Sequence, residues 1–128
     1  MIKDENHAYI VLAECISIYA SDDEWIKANM SIEIYSRMIR CFESLIQKEG
    51  IIDEYRDIPI DLSKLRMEAV FYLRDHFLKL TGNRIWGLTF TLYPDGKFEI
   101  KYDYDKPEGY EETDEVITGD EINQTFLK

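Results

Sequence analysis

The sequence predicts an α+β fold: a mainly antiparallel sheet covered by one long helix, with an N-terminal helix and a short C-terminal helix. Three observations carry this prediction. Residues 26–34 alternate apolar and polar side chains, the period of a strand with one buried face. Residues 62–80 place apolar side chains three and four apart, the stripe of a helix lying on a core. Residues 86–104 alternate on both sides of Pro94-Asp95-Gly96, the chemistry of a hairpin turn. At 128 residues the chain is the size of one domain, taken as 1–128, with an acidic C-terminal segment at 103–128.

The elements follow in order. Tyr9, Leu12, Ala13, Ile16 and Tyr19 form a stripe that predicts a first helix over 7–19, broken at Ser21-Asp22-Asp23. Ile26, Ala28, Met30, Ile32 and Ile34 then share one face of a strand. The stretch 38–47 fits either period, but Lys48-Glu49-Gly50 and the β-branched Ile51-Ile52 favour a hairpin with strands near 38–47 and 51–56. Pro59 disfavours helix at Ile58, and Asp61 or Ser63 can cap the long helix over 62–80. Gly82 suits the left-handed position that ends it. The Pro94-Asp95-Gly96 turn opposes Leu92 to Phe98, Phe90 to Ile100, Leu88 to Tyr102 and Trp86 to Tyr104. All eight side chains then share one face, each contributing roughly 1.5–3 kcal/mol if buried, and the long helix is the expected cover. Glu121 to Leu127 reads as the final short helix.

Charge narrows the function. The chain carries 26 acidic and 15 basic side chains, a net charge of −11. The acidity sits at the ends: residues 1–24 are net −5, residues 25–102 net +1 and residues 103–128 net −7. Such a surface repels phosphate backbones, so no direct nucleic-acid binding is expected; a basic protein partner is. No apolar run reaches membrane-spanning length, and Met1 to His7 lacks a signal-peptide layout, which predicts a cytoplasmic chain with no membrane contact.

The chemistry of an enzyme is missing from the pattern. His7 and His76 stand apart from any constellation, and Cys15 and Cys41 lack metal-ligand spacing. There is no His-Glu-x-x-His, Gly-rich phosphate loop or Gly-x-Ser-x-Gly turn. Asp103 and Asp105 lack the remaining oxygens of a calcium loop, so neither metal nor cofactor is expected. What stands out is an acidic run interleaved with aromatics: Tyr102, Asp103, Tyr104, Asp105, Glu108, Tyr110, Glu111, Glu112, Asp114 and Glu115. It reads as a solvated acidic face or as a contact surface for a basic partner, because aromatics concentrate at binding hot spots.

The stretch Trp86-Gly87-Leu88-Thr89-Phe90-Thr91-Leu92-Tyr93-Pro94-Asp95-Gly96-Lys97-Phe98-Glu99-Ile100-Lys101-Tyr102-Asp103-Tyr104 resembles the YezG-like family of small bacterial immunity proteins, or antitoxins. Trp25-Ile26-Lys27-Ala28 and the early helix bearing Tyr9 are similar too. The resemblance spans about residues 7–105 and is strongest over 84–105. It implies a non-catalytic protein that neutralises a contact-delivered or secreted toxin, often a nuclease, and it supplies no catalytic residues. The expected function is therefore toxin neutralisation through the acidic, aromatic C-terminal run. The competing expectation is an acidic adaptor domain for a protein unrelated to toxins.

Overall fold

Alternation in one strand decides which side of the molecule is its interior. In the computed structural model, which describes residues 1–106 apart from Asp22, Ala28, Met30, Ile32 and Ile34 are sealed from water. They lie on β1 (Lys27–Ile34), the middle strand of a five-stranded antiparallel sheet. Its other strands are β2 (Ile39–Gln47), β3 (Gly50–Ile52), β4 (Gly87–Leu92) and β5 (Phe98–Asp103), in the order β3-β2-β1-β4-β5. The register carries the parity of β1 outward. Ala28 faces Leu45 and Leu92, Met30 faces Phe90, and Ile32 faces Cys41 and Leu88. One sheet face is apolar as a result, because cross-strand partners point the same way.

Two helices cover that face: α1 (Glu5–Tyr19) and α2 (Ile60–Thr81). They run antiparallel, since Glu5 lies 3.5 Å from His76 near the end of α2 while the Cys15 thiol points at the carbonyl of Leu62 near its start. The expectation of a single covering helix is corrected here. The first helix buries Ala8, Val11, Leu12, Cys15, Ile16 and Tyr19, whereas α2 buries only Ala69, Val70 and Leu73 with Arg66. A six-residue stripe at spacings of three and four makes α1 the larger contributor. Asp4 caps it, accepting a hydrogen bond from the His7 N–H at 2.8 Å.

The strand and hairpin expectations hold, with three corrections. The second strand of the 38–56 hairpin ends at Ile52 instead of running to 56. Arg56 pulls the chain away from the sheet: its Nη1 donates to the Tyr19 carbonyl at 2.8 Å and to Asp23 at 2.6 Å, tying residues 53–58 to the end of α1. Next, α2 begins at Ile60 behind Pro59 and has no side-chain cap, so neither Asp61 nor Ser63 serves as one. Finally, of the eight hairpin side chains, Leu88, Phe90 and Leu92 are buried, but Phe98 and Tyr104 are 41% and 46% exposed. Strand β5 forms one sheet edge, over which Tyr9 and Phe77 reach. The register itself is as expected from Leu92–Phe98 to Leu88–Tyr102, and Gly96 takes the left-handed turn conformation at φ 89°. The proposed helix at 121–127 lies outside the described residues. Among the described residues no helix is long and apolar enough to cross a membrane.

A charged pair interrupts the covered face. Glu43 stands opposite Met30, and Arg66 of α2 meets its carboxylate at 2.8 Å. Each ion is mostly buried, so each depends on the other for its solvation.

The two sides of α1 should respond differently to truncation. Ile16→Ala opens a cavity in the core and should cost about 2–5 kcal/mol, whereas Ile10→Ala on the half-exposed side should stay within about 0.5 kcal/mol. Urea unfolding midpoints measure both. Equal losses would show that α1 is not anchored through this stripe.

Candidate protein-interaction surface

The acidic, aromatic run divides once it is placed on β5. Tyr102 belongs to the covered face: its ring packs 4.8 Å from that of Phe77, and its hydroxyl lies 2.7 Å from that of Tyr9. Because Tyr9 spends its proton on the Glu5 carboxylate, Tyr102 is the donor to Tyr9. Burial pushes the Tyr102 phenol up to about 12, so it stays neutral. Tyr102 is thus a packing residue, removed from the surface on which Asp103 lies. Tyr104 is exposed just beyond the strand. Asp103 and Asp105 form a small turn, the Asp103 carboxylate accepting the Asp105 N–H at 2.9 Å. Glu108, Tyr110, Glu111, Glu112, Asp114 and Glu115 lie outside the described residues.

The face opposite the helices carries a different set of residues. No described element covers it, and two adjoining hollows of about 920 and 410 Å³ occupy it. They share Ser31, Phe42 and Thr89. Small hydroxyl and amide side chains form the floor: Ser31 pairs with Thr89 at 3.3 Å, and Thr91 donates to Asn29 at 2.9 Å. Phe42 rises from this floor 49% exposed, with the Arg40 guanidinium 5.3 Å above its ring. Arg40 also reaches Glu33 at 3.8 Å. Ile51 and Tyr55 flank one end, and Tyr55 is 87% exposed. At the other end stand Asp103 and Asp105.

An aromatic side chain on a polar floor, rimmed by charge, suits contact with another protein. Burial pushes the thiols of Cys15 and Cys41 up to about 12 and about 11, only partly offset by Arg66, so neither is a thiolate nucleophile at neutral pH. Among the described residues no group of three or more His, Cys, Asp or Glu is placed to hold a metal ion.

The sequence reading named Asp103 and Asp105, which line this face, but not Phe42 or Tyr55, which are exposed on it. One signal was present. Strand β2 is apolar on both parities, with Ile39, Cys41 and Leu45 on one side and Phe42 and Ile46 on the other. A strand with one covered face needs only the first set, so the second points to another partner.

The thiol assignment can be tested directly. At pH 8 the folded chain should react with an aromatic disulfide reagent on the order of a hundredfold more slowly than the urea-unfolded chain, whose thiols return to about 8.5. Fast labelling of either cysteine in the folded state would contradict it.

The chain matches none of the family models and none of the characterised proteins with which it was compared.

Proposed function

We propose that this chain is an immunity protein that binds and neutralises a cognate bacterial toxin, a basic nuclease being the class its charge best matches. The observation that carries this reading is the uncovered sheet face centred on Phe42, with Asp103 and Asp105 at its rim. Inhibition by occlusion asks no chemistry of the inhibitor. It asks for a rigid surface, an anchor and a complementary field. The helix-backed sheet supplies rigidity, Phe42 the anchor, and the net charge of −11 the field.

The division of labour follows from physics. Long-range attraction between an acidic chain and a basic toxin raises the encounter rate and fades as salt screens it. Buried aromatic contacts instead set the dissociation rate. In this reading the acids at 103–115 steer the encounter, while Phe42 holds the complex. The toxin's active site, or a surface beside it, lies against the open face, and the two proteins meet in the cytoplasm.

Co-expression with the product of the neighbouring open reading frame tests the proposal. Rescue of growth together with a stable complex is the expected result. Within that complex, Phe42→Ser should weaken binding at least tenfold, about 1.4 kcal/mol, mainly through faster dissociation. Neutralising Glu111, Glu112, Asp114 and Glu115 together should slow association at low salt and change little at high salt. A neighbour that is harmless but still binds would favour the adaptor function. Absence of both toxicity and binding would remove the proposal.

A further inference from the structure

We infer that the chain forms a two-fold dimer in which the free edge of β5 pairs antiparallel with β5 of a second copy. The inference rests on β5 geometry and stands apart from the toxin proposal.

The edge offers unpaired backbone groups. Tyr93 donates to the Lys97 carbonyl, and Thr91, Thr89 and Gly87 stand opposite Glu99, Lys101 and Asp103. Hydrogen bonding alternates along an antiparallel pair, so residues 97, 99, 101 and 103 spend their backbone groups on β4. The N–H and C=O groups of Phe98, Ile100 and Tyr102 therefore point outward, with no strand beyond them among the described residues. The chain does not turn back to cover them at once. Asp105 and Lys106 line the hollow that contains Phe42 and Ser31, so the path after β5 bends over the open face and away from the edge.

Charge then selects the partner and the register. Residues 97–103 read Lys-Phe-Glu-Ile-Lys-Tyr-Asp, a pattern whose charges invert about Ile100 while its apolar positions repeat. With Ile100 facing its own copy, Glu99 meets Lys101, Lys97 meets Asp103 and Phe98 meets Tyr102, each twice. This is also the register in which the outward groups of 98, 100 and 102 bond one another. A shift of two residues one way sets Lys101 against Lys101 and Glu99 against Asp103. A shift the other way sets Glu99 against Glu99 and Lys97 against Lys101. Like charges directly opposite are destabilising, so neighbouring registers are rejected. The pairing span stops short of Asp95 and Asp105, which would otherwise oppose each other.

A charged edge strand usually serves to repel neighbours. Here the inversion about Ile100 turns the same charges into attraction for an identical strand in one register. Pairing also covers Phe98, the edge aromatic left 41% exposed. The product is a continuous sheet across the two-fold axis, with the open faces of both copies on the same side.

Sedimentation of the full chain over a range of concentrations tests this. The expected result is a mass rising from one chain to two. Lys101→Glu places Glu against Glu99 of the other copy at two positions and should weaken the dimer at least tenfold. Adding Glu99→Lys restores opposite charges and should restore dimerisation, which a folding defect caused by Lys101→Glu would not do. A chain that stays monomeric up to its solubility limit overturns the inference. So does a dimer indifferent to Lys101→Glu, or one that the double exchange fails to rescue. If the chain alone is monomeric and Lys101→Glu weakens only a toxin complex, the effect belongs to the open face that Lys101 lines, and self-pairing is overturned.

Discussion

Strand β1 is hydrogen-bonded on both sides, and its even-numbered side chains are sealed beneath two helices. A strand in that position has no freedom of register, because slipping by one residue would turn Lys27, Asn29, Ser31 and Glu33 into the core. The same constraint fixes the partner strands. Once Ile32 faces Leu88 and Cys41, the positions of Phe90, Leu92 and Leu45 on the covered side follow. The opposite consequence matters more for function. Phe42 pairs with Ser31, so it is held on the uncovered face by the register that buries its neighbours.

The helix layer depends on this sheet and limits it in turn. Its first helix inserts six side chains, while α2 lies alongside and brings Arg66 to the Glu43 carboxylate on the covered face. Arg56 fastens the connection between β3 and α2 to the end of α1, which keeps β3 short. Beyond the helices the edge strand β5 is only partly covered, held by the hydroxyls of Tyr9 and Tyr102 and by ring contacts with Tyr9 and Phe77. Among the described residues, an interior built from one side leaves the open face and the β5 edge without cover.

Most of the fold was legible because local pattern and tertiary position agree. The alternation over 26–34, the stripe over 62–80 and the Pro94-Asp95-Gly96 turn each determine one element, and the structure contains all three. The short β3 was not legible, because the pull of Arg56 on Tyr19 and Asp23 acts across more than thirty positions of sequence. The relative weight of the two helices was hidden for a similar reason: amphipathic stripes look alike until the sheet shows which one sits deeper. Of the residues on the open face, the sequence reading named only Asp103 and Asp105. Tyr102 belongs to the same run of sequence, but the strand period sends it to the covered face. Phe42 was concealed because the apolar residues of β2 fit helical spacing as well as they fit two strand faces.

Under the proposed function, the toxin contacts the open sheet face and leaves the helix layer free. Side-chain oxidation footprinting of the chain, alone and in complex with its toxin, measures this directly. Phe42 and Tyr55 should lose reactivity on binding, while Ile10 and Ile18 on the outer side of α1 keep theirs. Protection of α1 or α2, with Phe42 as reactive in the complex as in the free chain, would contradict it.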